Sequence, residues 1–92
     1  MQPIRILVAD DSARFRGHLN TFLNAEPDIV VIGEACNGQD AVTQATRLKP
    51  DVVLMDVRMP DLNGLEATRL LRAACPDMHV IMLSRFDVQE YR

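Results

Sequence analysis

The feature that most constrains the fold is a short apolar run that ends on a carboxylate. Val52-Val53-Leu54-Met55 is apolar throughout and half β-branched, a pattern typical of a strand buried on both faces in the middle of a parallel sheet. Asp56 follows directly, and Met59-Pro60 and Asn63-Gly64 then favour a loop over a continued strand. We therefore expect Asp56 at the carboxyl end of a central strand, where open α/β sheets bind their ligands.

The other apolar segments alternate between strand-like and helix-like patterns. Further strands are predicted at residues 4–9, 29–32 and 79–83. Helices are predicted after Ser12, Asn37 and Asn63, and the sequence from Val88 begins a fourth. The apolar positions expected to face the sheet are Phe15, Leu19, Phe22 and Leu23, then Ala41, Val42, Ala45 and Leu48, then Ala67, Leu70, Leu71 and Ala74. This alternation predicts a parallel α/β sheet with right-handed crossovers and helices on both faces.

Length and charge exclude several classes of function. A chain of 92 residues is at most one domain. The net charge of −3, with scattered arginines, lacks the basic surface that nucleic acids attract, so we expect no direct DNA binding. No apolar segment approaches the roughly 20 residues of a membrane span, and we expect a cytoplasmic protein without membrane contact. We expect Cys36 and Cys75 to be small buried side chains rather than a disulfide or metal ligands.

Polar residues follow three of the predicted strands. Asp10 and Asp11 follow the first, Asp56 ends the third, and Ser84 follows the fourth. Acids at strand ends often cap the next helix, and Asp11 or Ser12 can do so here, but capping requires neither a second acid beside Asp11 nor an acid at Asp56. Clustered carboxylates repel one another, and Mg²⁺ relieves the repulsion while keeping positions for phosphate oxygens. These residues predict a Mg²⁺ site for phosphoryl chemistry, with Asp56 as nucleophile and Ser84 bonded to a phosphoryl oxygen.

These residues together resemble the receiver domain of response regulators in two-component signalling. The similarity lies in the acid pair, the string Asp56-x-x-Met59-Pro60-x-x-x-Gly64 and Ser84, and it runs from Ile4 to the last residue. Residues 83–91 further resemble the subfamily of transcription factors with a C-terminal helix-turn-helix domain. The resemblance implies a flavodoxin-like fold and a sensor histidine kinase as phosphodonor, for a phosphoacceptor rather than an enzyme. It implies that Asp56 is the phosphoacceptor, Asp10 and Asp11 are metal-binding acids, Arg58 is a metal ligand through its backbone carbonyl, and Ser84 is the switch hydroxyl.

Two features of the family have no counterpart in this sequence. Receivers have a fifth strand, with a lysine that pairs with the phosphoryl group, and then a last helix. The only lysine here is Lys49, which precedes the strand that Asp56 ends and is expected at the wrong end of the sheet. We therefore expect residues 1–92 to form an incomplete receiver domain without a DNA-binding output domain. We also expect either self-association, as a dimer, through the edge of the fourth strand and the uncovered flank of the first helix, or a loosely packed chain.

Three alternative functions compete with this interpretation. Phosphohydrolases of the haloacid-dehalogenase kind place a second Asp two residues after the nucleophile, and Arg58 occupies that position. A dinucleotide-binding fold needs glycines after the first strand, where residues 10–14 contain none. The third alternative is a truncated, receiver-like interaction module that does not accept phosphoryl groups, and the absence of the family's lysine keeps this alternative open.

Overall fold

Four parallel strands and three helices make up the part of the chain that the computed structural model describes, residues 2–56 and 64–83. The sheet has the order β2-β1-β3-β4, and each neighbouring pair is parallel. This arrangement confirms the predicted flavodoxin-like α/β fold. The elements are β1 Ile4–Ala9, α1 Ala13–Asn24, β2 Ile29–Ala35, α2 Gly38–Leu48, β3 Val52–Asp56, α3 Gly64–Ala74 and β4 His79–Leu83. The helix predicted from Val88 lies outside the described residues.

Strand β2 is longer than the predicted segment 29–32, and its pairing with β1 shifts register along the way. Ile6 pairs with Val31 but Leu7 pairs with Gly33, so Ile32 is passed over. Gly33 lies under α2, where an added Cβ would come within 2.8 Å of Leu48 Cδ1. The predicted strand ends at Ile32, directly before Gly33, and glycine inside a strand generally weakens it. The structure instead uses this glycine for close packing of the helix on the strand.

The main core lies between one face of the sheet and helices α2 and α3. Its buried side chains are Leu7, Ala9, Ala35, Ala41, Ala45, Val53, Met55, Ala67 and Leu71. Val42 and Leu48 pack against this cluster, which confirms the predicted inner face of α2. On α3 the predicted stripe was too wide, because Leu70 is 44% exposed and Ala74 is also exposed. Helix α3 packs against α2 and β3, and Ala67 and Leu71, one turn apart, form the line that faces them.

Helix α1 covers the opposite face less completely than its sequence predicted. None of its residues is fully buried, and Phe22 is 70% exposed. The helix packs on β1 and β2. Val52 and Leu54 of β3 are paired with Ile6 and Val8, on the same side of the sheet as α1, and are only partly buried. The prediction that this strand is buried on both faces is therefore wrong for the α1 face.

The prediction of two buried cysteines is also wrong. Cys36 is exposed, Cys75 is partly buried, and both are free thiols. Each lies in a connection, directly after β2 or α3, and connecting segments generally run over the protein surface. Within residues 2–56 and 64–83, none of the helices combines the length and the apolar character needed to cross a membrane.

Candidate functional site

Three carboxylates meet at the carboxyl ends of β1 and β3. Asp10 and Asp56 are 0% and 2% exposed, whereas Asp11 is exposed. One carboxylate oxygen from each of the three residues lies within 4.8 Å of the other two. The pairing of the strands explains this arrangement, because Ala9 and Met55 are partners across β1 and β3 and each precedes an aspartate. The structure thus brings together the acids that the sequence analysis selected from two separate segments.

The backbone around Asp10 fixes the first of these acids. The Asp10 N–H donates to the Ala35 carbonyl at 3.0 Å, which extends the pairing of β1 with β2. Asp10 Oδ1 accepts a hydrogen bond of 2.8 Å from the Ser12 N–H. Ser12 Oγ in turn accepts from the Phe15 N–H at 3.2 Å and caps α1. The cap of the helix is therefore supplied by Ser12, and the Asp11 carboxylate is not needed for it.

A second group of polar side chains borders the acids and was missed in the sequence analysis. Arg16 Nη1 donates to the Asp10 carbonyl oxygen at 2.6 Å, and Arg16 Nε donates to Glu34 Oε1 at 2.8 Å. Glu34 Oε2 accepts from Asn20 Nδ2 at 2.6 Å. The available signal was the spacing of Arg16 and Asn20, one helical turn apart on α1, where both can reach one carboxylate. What the sequence did not indicate is that Glu34 faces α1.

The remaining residues that the sequence analysis selected are not part of the described cluster. Arg58 and Ser84 lie outside the described residues. Leu83, which precedes Ser84 in the chain, is the β4 partner of Asp56. Lys49 caps the C-terminus of α2 before β3 begins, so β3 separates it from Asp56. Among the described residues, Arg16 supplies a guanidinium that is hydrogen-bonded to the backbone of the acid pair.

A separate cleft of about 500 Å³ lies at the other end of β3 and β4. Residues 49–51 and 74–79 line it, in the segments that lead into these two strands. Parallel strands present their carboxyl ends at one edge of the sheet and their amino ends at the other. The cleft is therefore remote from the three carboxylates and does not contribute to the candidate site.

The donor set of the carboxylate cluster suits a hard divalent cation. Two buried carboxylates this close together repel each other, and burial removes the water that would otherwise screen them. A cation with oxygen ligands relieves both effects, and Mg²⁺ is typically held by one or two carboxylates together with waters and phosphate oxygens. The exposed position of Asp11 leaves one side of the cluster open to solvent. The arrangement can therefore hold a metal ion and admit a charged substrate group.

Comparison with known proteins identifies the class of protein that carries this site. Residues 6–92 match the family of response regulator receiver domains. The chain belongs to this family and is the receiver domain of a two-component response regulator. It is 41% identical over 88 residues to the uncharacterized transcriptional regulatory protein YxjL of Bacillus subtilis, an alignment that covers 96% of this chain and 40% of that protein. The chain thus spans less than half the length of this relative.

Solved structures have the same fold. The response regulator domain of CheB from Thermotoga maritima has a TM-score of 0.87 and 46% identity, over 90% of this chain and 61% of that one. A chain of the CheX–CheY complex with BeF₃ and Mg²⁺ from Borrelia burgdorferi has a TM-score of 0.86 and 25% identity, over 97% of this chain and 68% of that one. Both are similar to this chain through most of its length.

Proposed function

We propose that this receiver accepts a phosphoryl group on Asp56 from the phosphohistidine of a sensor histidine kinase, and so controls a transcriptional output in the cytoplasm. The observation that carries the proposal is the position of Asp56, buried at the end of β3 with Asp10 and Asp11 within 4.8 Å. Parallel sheets bind ligands at this edge. Transcriptional regulation is attributed to the Bacillus subtilis relative, and similarity to it supports the same output here.

The chemical step is a transfer of one phosphoryl group onto the chain itself. A carboxylate oxygen of Asp56 attacks the phosphorus, the N–P bond of the phosphohistidine breaks, and the imidazole nitrogen keeps the electron pair. An acyl phosphate forms on Asp56 in the same step. The rigid ends of β1 and β3 supply the positioning on which phosphoryl transfer depends. The chain is modified once in this reaction and turns over no separate substrate, so we propose a phosphoacceptor and not an enzyme.

The residues proposed to hold Mg²⁺ are Asp10, Asp11 and Asp56, together with the backbone carbonyl of Arg58. When bound, Mg²⁺ neutralises the carboxylates and the charge of the phosphoryl oxygens. The Borrelia burgdorferi relative, whose complex contains BeF₃ and Mg²⁺, supports this choice of ion. We assign Ser84 the role of donating its hydroxyl hydrogen to a phosphoryl oxygen, as the switch residue of the domain.

The test is phosphorylation of the purified chain by a small acyl phosphate in the presence of Mg²⁺, followed by intact-mass analysis. Wild type should gain one phosphoryl group and Asp56→Asn should gain none. Asp51→Asn is the matched control, because Asp51 directly precedes β3 whereas Asp56 ends it, and this variant should be modified like wild type. Modification that persists in Asp56→Asn would overturn the assignment. An unmodified wild type would favour the alternative, an interaction module that does not accept phosphoryl groups.

A further inference from the structure

The side chain of Arg16 is mostly buried and connects three elements beside the acid cluster. It is 15% exposed and extends from α1 to the end of β1, where it binds the Asp10 carbonyl, and to β2, where it binds Glu34. Nothing in the proposed phosphoryl transfer uses this guanidinium. A charged side chain that is largely removed from water requires good partners, and Arg16 has both a carboxylate and a backbone carbonyl.

The register shift in β2 is what places Glu34 within reach of Arg16. Paired residues of parallel strands point to the same side of the sheet, and Glu34 is paired with Val8, which lies on the α1 side. Without the shift at Ile32, Glu34 would be paired with Ala9 and would point into the core between the sheet and α2. A one-residue change of register reverses the side that every later residue faces. The register shift in β2 therefore places Glu34 on the side of the sheet where Arg16 can bind it.

The carbonyl that Arg16 binds belongs to the peptide group joining Asp10 to Asp11. That peptide is planar, so a hydrogen bond to its oxygen also restricts the direction in which the chain continues to Asp11. The Asp10 N–H is already bonded to Ala35, and Asp10 Oδ1 to the Ser12 N–H. Together with the bond from Arg16 to the Asp10 carbonyl, these contacts hold the backbone before, within and after the acid pair.

We propose that Arg16, supported by Glu34, is a positioning residue that orients the Asp10-Asp11 peptide so that both carboxylates face Asp56 for Mg²⁺ binding. This inference rests on the proposed function, because it assigns Arg16 its role through that metal site. Arg16 touches neither the metal nor the phosphoryl group in this role. It acts through the backbone of the two acids. Because this backbone is already ordered, the site loses less conformational entropy when Mg²⁺ binds.

Measurement of Mg²⁺ affinity by calorimetric titration separates positioning from simple electrostatics. Arg16→Met removes the guanidinium and keeps much of the side-chain volume. If Arg16 positions the acids, this variant should bind Mg²⁺ roughly tenfold more weakly, as is typical when a residue that orients a metal ligand is lost. If Arg16 acted only as a nearby positive charge, its removal would strengthen Mg²⁺ binding instead. The two explanations therefore predict changes of opposite sign.

Arg5 provides the matched control at the other end of β1. Its guanidinium also binds backbone carbonyls, those of Lys49 and Leu48, at 2.8 and 2.9 Å. Arg5→Met should lower the melting temperature and leave Mg²⁺ affinity unchanged. Arg16→Lys keeps the positive charge, but an ammonium group cannot bind the Asp10 carbonyl and Glu34 with the planar geometry of a guanidinium. This variant should therefore bind Mg²⁺ more tightly than Arg16→Met and more weakly than wild type.

Arg16→Lys is the second variant if Arg16→Met does not fold, because it keeps the positive charge and should still bind Mg²⁺ more weakly than wild type. Glu34→Gln keeps an acceptor for Arg16 and removes the ion pair, and it should weaken Mg²⁺ binding by about two- to fivefold. Because the loss of a nearby negative charge also weakens binding of a cation, this result supports the inference only together with the Arg16 variants. Weaker binding in the Arg16 and Glu34 variants, with normal binding in Arg5→Met, supports the inference. Unchanged or tighter binding in Arg16→Met, with a wild type that binds Mg²⁺, overturns this inference alone. A wild type that neither binds Mg²⁺ nor accepts phosphate overturns the proposed function and the inference with it.

Discussion

A carboxylate oxygen of Asp10 lies within 4.8 Å of one of Asp56, although the two residues end different strands. The strands are hydrogen-bonded neighbours, and the pairing of Ala9 with Met55 sets the two acids side by side. Both carboxylates are buried, so the packing of β1 on β3 determines their separation. The metal site proposed here is therefore a property of the sheet as much as of the loops that follow it.

Loss of the exposed acid should weaken the metal site without unfolding the protein. Asp11→Ala is expected to weaken Mg²⁺ binding at least roughly tenfold, because losing even a residue that only supports a metal ligand typically has an effect of this size. Asp77→Ala removes an exposed acid at the opposite end of the sheet, beside the cleft, and should leave binding unchanged. Calorimetric titration with Mg²⁺ measures both. Equal affinity in Asp11→Ala and wild type would remove Asp11 from the site.

The cap of α1 and the acid site should respond separately to one substitution. Ser12→Ala removes the side chain that caps the helix and should lower the free energy of unfolding by about 1 kcal/mol. The hydrogen bond to Asp10 Oδ1 comes from the Ser12 backbone N–H, which alanine keeps, so Mg²⁺ affinity should remain close to wild type. Asn37→Ala, at the cap of α2, is the matched control and should lose a similar amount of stability. A large loss of Mg²⁺ affinity in Ser12→Ala would contradict this separation.

Glycine at the end of α2 should stabilise the protein. Lys49 adopts the left-handed conformation with φ 51°, which is unfavourable for residues with a Cβ and readily adopted by glycine. We expect Lys49→Gly to raise the free energy of unfolding by roughly 0.5–1 kcal/mol. Relief of the backbone strain stabilises the folded protein, and the greater entropy of glycine in the unfolded chain offsets part of this gain. Lys49→Ala keeps the Cβ and should change stability little. Urea unfolding of both variants tests this, and a less stable Lys49→Gly would refute the strain argument.

The acid cluster could be predicted from the sequence because its signals are local. Apolar runs that end on Asp10-Asp11 and on Asp56 define both the strands and their carboxyl ends, and a parallel sheet places those ends together. The role of Glu34 could not be predicted, because the side it faces depends on a register shift between β1 and β2 that no local pattern reveals. The period of α1 likewise indicates which side of the helix is apolar, but not that Phe22 on that side remains 70% exposed.

Direct DNA binding by this chain is not expected. Its net charge is −3, and Arg16 is engaged with Glu34 rather than available to a phosphate backbone. Fluorescence anisotropy with a labelled duplex at low and moderate salt should show no saturable binding in the micromolar range. Sequence-selective, salt-dependent binding by the chain would contradict this prediction and would indicate a nucleic-acid surface that its charge distribution does not suggest.

Self-association of the 92-residue chain is expected on the α1 side of β3 and β4. Ile81 is 50% exposed, and its β3 partner Leu54, on the same face, is only partly buried. Phe22 of α1 is also largely exposed. We propose that a second copy of the chain covers the apolar strip formed by Leu54 and Ile81, because exposed apolar side chains on neighbouring strands favour pairing between chains.

A charge in the strip should oppose this association. Ile81→Lys is expected to shift the chain toward monomer, since an outward lysine on such a strand disfavours pairing with another chain. Leu65→Lys replaces an exposed leucine on α3, away from the strip, and should leave association unchanged. Sedimentation velocity over a wide concentration range measures all three proteins. A wild-type chain that remains monomeric at every concentration would refute self-association. If Ile81→Lys and Leu65→Lys weakened association equally, the contact would lie elsewhere, because only Ile81 belongs to the strip.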